Sequence, residues 1–481
     1  MSLINASPTK NFFVDMLTRD IDLKDAILDL LDNCIDGIQR TTRDQAPSEK
    51  PYSGFWANIE VSEASFLIED NCGGIPLDVA ERYAFRMGKP KDIDDDDDIF
   101  TIGTYGIGMK RAIFKMGRSA EVYSQTTEDS FSVIIQPDWL ISDDSWELPV
   151  ESVDRSVDEA GTSIEISNLR DEAARQLGDE AFQRSLISEI EGLYSYILAK
   201  GFEIAVNGEV IVPRPIAFQW EGLKKLKDKD TAAIAPYLYE ATREDVEIQL
   251  AVGLHRKLPT SEEVDKATER KRAKRDDAGW TIVCNDRVVV ANDKTLLTGW
   301  GEAGVPRYHP QFISISGVVT FKSTDARKLP ITTTKRGIDA SSELYLHVKE
   351  RMREGLKLFT AHTNKWKQIT KEEKAALKMP RPRLETPTNL FDQVKKIDDK
   401  AAKSGKKVWT AVKSDQFNVE RRYIPNLPSP PPVAQTKRIS FSKPIEEVRA
   451  ISEYFFDDPD ISPSAVGEAC FQDVLDKLHE D

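Results

Sequence analysis

Asp29-Leu-Leu-Asp32-Asn33-Cys34-Ile35-Asp36-Gly37 is the stretch on which the fold turns. Asp29, Asn33, Asp36 and Arg40 recur at i, i+4, i+7 and i+11, which puts them on one face of a helix. Leu28, Leu31, Ile35 and Ile38 recur at i, i+3, i+7 and i+10 and form a separate apolar stripe. The two periodicities predict one amphipathic helix over Asp15–Arg40. A carboxylate and an amide one turn apart can hold a water and a divalent ion side by side, because Mg²⁺ takes oxygen ligands and keeps waters. Taken alone, such a face is an ordinary solvated helix surface.

Three further segments lie downstream. Residues Phe55–Glu69 read as a strand hairpin ending in Asp70-Asn71-Cys72-Gly73-Gly74-Ile75-Pro76, with a helix expected over Leu77–Met87. A carboxylate at a strand end followed by glycines lets the backbone approach a flat ligand, and a buried Asp can accept from an exocyclic amine. Next come the acidic run Asp94–Asp98, read as a solvated loop, and Gly103-Thr104-Tyr105-Gly106-Ile107-Gly108-Met109-Lys110-Arg111, with a helix from Gly108 to Phe114. Glycines before a helix free backbone N–H groups to face an anion. Lys110 and Arg111 in a first helical turn run against the macrodipole, which points to anions nearby. A polar loop precedes these glycines, so the dinucleotide fingerprint is excluded, and GxxxxGK[ST] is not matched. The fourth segment is Gly161-Thr162, opening a strand over Thr162–Ser167, whose hydroxyl could bridge through water to Asp70.

In this order and spacing the segments DLLDN, DNCGG, GTYGIG and GT resemble the GHKL superfamily of ATPases (gyrase B, heat-shock chaperone, histidine-kinase catalytic domain, MutL), closest to its MORC-like and heat-shock-chaperone-like branch. The resemblance spans about the first 200 residues. It implies an α+β protein: a Bergerat-fold α/β sandwich ATPase domain over 1–202, a transducer-like α/β domain over 203–368, and a linker with a partly helical, partner-binding extension over 369–481.

The resemblance also implies roles. Asn33 would coordinate Mg²⁺, Asp70 would bind the adenine amine, Gly74 would let the base lie against the backbone, and Thr162 would complete that pocket. Gly106, Ile107, Gly108, Met109 and Lys110 would wrap the phosphates, with Asp36, Ile75, Met87, Gly103, Thr104 and Tyr105 filling out the ATP site. The family's general base, a Glu, is Asp29 here, its carboxylate set back by one methylene, roughly 1.5 Å; slow hydrolysis follows. Cys72 stands for the first family glycine. A transducer lysine that reaches the γ-phosphate would be Lys335, in Leu329-Pro-Ile-Thr-Thr-Thr-Lys335-Arg336-Gly337, with Arg336 as alternate.

Composition narrows the rest. The 481 residues carry 66 Lys plus Arg against 81 Asp plus Glu, a formal charge of −15, which argues against a protein coating nucleic acid over its whole surface. The basic stretch Lys266–Arg275 leaves DNA open as a partner, although such a run is usually just solvated. Cys34, Cys72, Cys284 and Cys470 form no CxxC pair, which removes a disulfide framework and the common zinc knuckles. No apolar run suits a membrane span and the N-terminus lacks a signal-peptide core, so the expected location is cytoplasmic. All five histidines follow the first helix, which counts against a sensor kinase with its phosphoacceptor ahead of the ATP domain. Length counts against a topoisomerase subunit. The sequence reading is therefore an ATP- and Mg²⁺-dependent switch that homodimerises on ATP and acts on a protein client, a partner subunit or DNA, in a prokaryotic defence or DNA-transaction setting. Its alternative is a nucleic-acid-binding scaffold with structural ATP.

Overall fold

The computed structural model describes residues 9–42, 45, 48–86, 107–142, 145–154, 159–222, 232–260, 263–265, 277–332, 335–367, 382–402, 409–414, 419–430 and 439–480. Residues up to Ser429 form one compact unit and Pro430–Asp481 another. The second unit is a pair of helices, Ile445–Phe456 and Pro463–Glu480, packed on each other.

In the first unit, α1 (Lys10–Arg19) and α2 (Leu23–Thr41) replace the single helix expected over Asp15–Arg40. Asp20 ends one and Asp22, extended at φ −73° and ψ 151°, begins the other. The stripe Leu28, Leu31, Ile35 and Ile38 is buried as its period requires.

These helices cover a mixed sheet built from β1 (Trp56–Val61), β2 (Phe66–Asp70), β3 (Gly117–Gln125), β4 (Ser130–Ile135), β5 (Val150–Ser152), β6 (Gly161–Leu169), β7 (Glu203–Val206) and β8 (Glu209–Val210). The order is β5-β4-β3-β6-β2-β1-β7-β8. Neighbours are antiparallel except β1 with β7. In β1, Ala57, Ile59 and Val61 are buried while Asn58 and Glu60 are exposed, the alternation of a sheet with one wet face. α3 (Gly108–Met116) runs into β3 and packs on α2. The helix expected over Leu77–Met87 is instead one α-turn, Leu77–Val79, continued by a π-turn over Ala80–Ala84; Met87 lies outside the described residues. Helix α4 (Glu180–Leu193) and the short helix Ser195–Ala199 meet at Tyr194, where the buried tyrosine points its hydroxyl back at α2.

The second sheet follows a short strand, β9 (Phe218–Trp220). Its members are β10 (Tyr237–Arg243), β11 (Val246–Leu254), β12 (Gly279–Cys284), β13 (Arg287–Asp293), β14 (Ile315–Lys322), then, after β15 (Arg383–Glu385) pairs with β9, β16 (Thr410–Ser414) and β17 (Val419–Tyr423). The order is β13-β12-β14-β11-β10-β17-β16. A long helix, α5 (Glu343–Lys367), lies on one face through Tyr345, Val348, Met352 and Leu356. The helix Pro387–Ala402 covers the other with Leu390, Phe391 and Val394.

Two expected boundaries move. Residues 203–210 complete the first sheet, because β7 pairs in parallel with β1. Residues 383–423, read as linker and extension, supply two strands and a helix of the second layer. Charge hid them: Arg421 reaches Glu240 and lies 4.8 Å from the Trp409 ring, and Arg422 pairs with Glu354.

Candidate functional site

The segments singled out in the sequence converge on one cavity of about 290 Å³. α2 supplies Asp29, Asn33, Cys34, Asp36, Gly37 and Arg40 to its wall. The end of β2 adds Asp70, Cys72, Gly74 and Ile75; the start of α3 adds Ile107, Gly108, Met109, Lys110 and Arg111; β6 adds Thr162; and the 329–337 loop adds Lys335. Gly103, Thr104, Tyr105 and Gly106 lie outside the described residues, as do Lys266–Arg275 and Asp94–Asp98.

The floor is held by close backbone approaches. At Gly37 an added Cβ would stand 2.6 Å from the Cys72 carbonyl oxygen, so glycine lets α2 sit against the turn after β2. Gly74 is in the left-handed region at φ 68°, and a Cβ there would stand 2.1 Å from the Gln125 carbonyl oxygen. Ser124 fixes the next residue twice, its Oγ accepting from Ile75 N at 2.6 Å and donating to Ile75 O at 3.2 Å. Arg40 donates to the Gly74 carbonyl.

Asp70 is the terminal residue of β2 and sits directly across from Thr162 in the β2–β6 ladder. Its Oδ1 accepts from Cys72 N at 2.7 Å, and its Oδ2 lies 3.4 Å from Cys34 Sγ. Burial pushes the Asp70 carboxyl above the ordinary range, against the hydrogen bonds it accepts. Burial likewise raises the Cys72 thiol.

At the opposite end, Arg111 Nη2 meets Asp29 Oδ2 at 2.5 Å, and Lys335 Nζ stands 3.8 Å from Asp29 Oδ1. The anion that the first-turn Arg111 called for is thus Asp29 of α2. Lys110 turns the other way and donates to the Ala84 carbonyl at 2.8 Å, and burial lowers its pKa to about 8.

Lys335, at φ 57°, also reaches Asp32 Oδ2 at 3.0 Å. Arg336 pairs with Asp25 and Glu189 on the outer side of α2 and is absent from the cavity wall. Asp32 accepts from Arg287 Nε at 2.9 Å and from Tyr194 OH at 2.7 Å. Burial alone would push Asp32 up, but Arg287 and Lys335 outweigh it and hold the carboxyl below its ordinary range. Sequence reading missed Arg287 and Tyr194, because each acquires its meaning from a partner more than 160 positions away. The one local signal is the Asn285-Asp286 turn, with φ 45° and 66°, which marks a tight hairpin tip.

With this geometry in hand, residues 21–168 match the sequence model of the family described as Histidine kinase-, DNA gyrase B-, and HSP90-like ATPase. The match runs from just before α2 through most of β6, so it contains all four motif segments. It supports the GHKL superfamily for this part of the chain, and with it ATP binding. No curated protein is similar enough to the chain to count as a relative. No described helix is long and apolar enough to cross a membrane.

Proposed function

We propose that this cavity binds ATP with Mg²⁺ and that the chain hydrolyses it slowly, as a switch that dimerises on ATP and works on a protein or DNA client. The observation that carries this reading is the convergence of four separated sequence segments and Lys335 on one cavity. Adenine sits at Asp70, against Gly74 and Ile75 and beside Thr162. The phosphates run along Gly108, Met109 and Lys110 at the start of α3, where the helix dipole favours anions. Ile107 lines the same stretch of wall, while Met87 and Gly103–Gly106, also expected at the ATP site, lie outside the described residues.

Asn33 suits Mg²⁺: its amide is an oxygen donor, exposed in the cavity wall one turn from Asp29 and Asp36. The ion would neutralise phosphate charge. Asp29 is the base that orients and deprotonates the attacking water. Lys335 reads the γ-phosphate, for which it exchanges its contacts with Asp29 and Asp32. Residues 1–202, with their sheet extended through β8, then serve as the ATPase part, 203–368 together with 383–423 as the transducer part, and the rest of 369–481 as the partner-binding part.

The test is phosphate release by the full chain with and without Mg²⁺, alongside sedimentation with a non-hydrolysable ATP analogue. Wild type should release phosphate and sediment faster with the analogue. Asp29→Ala should bind ATP but release none. Release by Asp29→Ala at the wild-type rate would remove Asp29 from the mechanism, and sedimentation indifferent to the analogue would remove the dimer.

A further inference from the structure

Cys34 and Cys72 have no part in the chemistry above, yet they flank its adenine end. Cys34 projects from α2 one residue after Asn33, and Cys72 from the turn after β2; both are buried and both line the cavity. The Asp70 carboxylate lies beside both, and the two thiols contact each other. The two sulfurs and one Asp70 oxygen all lie within 4.8 Å of one another.

We propose that Cys34, Asp70 and Cys72 form a binding site for a thiophilic divalent cation, Zn²⁺ by its donor set, with the fourth coordination position open to the cavity. Two sulfurs and a carboxylate oxygen make a set that suits Zn²⁺ and is poor for Mg²⁺ or Ca²⁺. The spacing fits. Tetrahedral Zn²⁺ with Zn–S of about 2.3 Å and Zn–O of about 2.0 Å sets sulfur and oxygen about 3.5 Å apart. Cys34 Sγ and Asp70 Oδ2 are 3.4 Å apart.

The arrangement is also held in place. Gly37 lets α2 close on the turn, and the Cys72 N–H fixes Asp70 through Oδ1, so that Oδ2 is the oxygen beside Cys34. The sulfurs' other contacts are weak and readily exchanged: Cys34 Sγ with Leu30 O at 3.4 Å and Cys72 Sγ with Trp56 O at 3.8 Å. Among the described residues Asp70 has no salt-bridge partner, and a buried carboxylate without one is the group that gains most from a cation. On binding, each thiol loses its proton to solvent and becomes a thiolate ligand. No oxidation takes place.

A second consequence rests on the nucleotide reading: with Asp70 ligating Zn²⁺, its carboxylate no longer accepts from adenine, so metal and nucleotide exclude each other. The experiment uses the full chain, freed of nucleotide and kept under a phosphine reductant. Zn²⁺ alone is titrated against a chromophoric chelator, and Co²⁺ alone is added to look for a thiolate-to-metal charge-transfer band. The expected result is one Zn²⁺ per chain and a charge-transfer band. Affinity should fall at least tenfold in both Cys34→Ser and Cys72→Gly and stay unchanged in Cys470→Ser, with circular dichroism confirming that the variants fold. Absence of the band, or Zn²⁺ affinity indifferent to both substitutions, overturns the proposal. Repeating the titration with ADP separates the two readings. Competition supports both; Zn²⁺ binding untouched by saturating ADP keeps the metal site and moves adenine elsewhere; ADP binding without Zn²⁺ binding keeps the nucleotide and removes the metal.

Discussion

Asp70 and Lys110 carry opposite pH dependences at the two ends of the proposed ATP site. Burial raises the Asp70 carboxyl, so as pH falls it takes up a proton earlier than an exposed aspartate would and becomes a poorer acceptor for the adenine amine. Burial lowers Lys110 to about 8, so its charge is present below that pH and lost above it, and with the charge its attraction for phosphate. ATP affinity should therefore pass through a maximum, declining on the acid side through Asp70 and above about pH 8 through Lys110. Calorimetry from pH 5 to 9 should trace this bell, and Lys110→Gln should flatten its alkaline limb only. An alkaline limb that survives the substitution assigns that limb to another group.

Lys335 gives a second test at this scale. It contacts Asp29 and Asp32 here and would meet the γ-phosphate of ATP but nothing in ADP. Lys335→Ala should cut turnover by a factor of order 10² or more, the usual scale for losing one electrostatic stabiliser, while ADP affinity holds. Normal turnover would make Lys335 a structural cation for Asp32. The positions on short motifs were legible in the sequence, because Asn33, Asp70 and Thr162 are fixed by local spacing. Arg111 was legible only as a cation needing an anion, and that its anion is Asp29 required the α2–α3 packing.

Among the elements, the turn from Asp70 to Ile75 is tightly constrained. Gly74 has φ 68° and no room for a Cβ against Gln125 O. Gly74→Ala should lower the urea midpoint, by an energy of about 1–3 kcal/mol for a strained backbone residue, and weaken ATP binding with it. Wild-type stability and affinity together would mean that the turn relaxes freely. The amphipathic periods of α2 and β1 and the glycine turn were readable because burial on one face writes a 3.6- or 2-residue pattern into the chain. The break at Asp20–Asp22, the π-turn over Ala80–Ala84 and the break at Tyr194 left no such pattern; at Tyr194 the hydroxyl is drawn to Leu28 O and Asp32 of α2, a contact that local sequence does not encode. β17 left no apolar pattern for the opposite reason, since its arginines Arg421 and Arg422 face glutamates of neighbouring elements rather than solvent.

Across the first unit, the two sheets are joined at the β12–β13 hairpin tip. Asp286 accepts from Tyr52 OH at 3.0 Å and pairs with Lys200 at 2.6 Å and Lys322 at 3.5 Å. Its neighbour Arg287 pairs with Asp32 and lies over the Tyr194 ring at 4.5 Å. The joint therefore ends on α2 at Asp32, the residue before Asn33, which sets Asp32, Lys335 and Arg287 between the proposed nucleotide site and the second sheet. Leaving a buried charge with no partner costs about 3–5 kcal/mol, but Asp32 without Arg287 keeps Lys335 and Tyr194. Arg287→Met should therefore destabilise the chain in urea unfolding by less than that amount. If the joint transmits the γ-phosphate signal, the same variant should dimerise less on adding a non-hydrolysable analogue. A destabilised variant with undiminished dimerisation would make the joint a structural tie alone.

We propose adenine on Asp70 in the cavity between α2, β2, α3 and β6, and a single substitution there tests it. Calorimetric titration of Mg²⁺·ATP into the wild type and into Asp70→Asn tests it most directly. A hydrogen bond to a charged group contributes roughly 1.5–3 kcal/mol, so the account predicts affinity reduced about tenfold or more in a variant that remains folded. Equal affinity in the two proteins would contradict it.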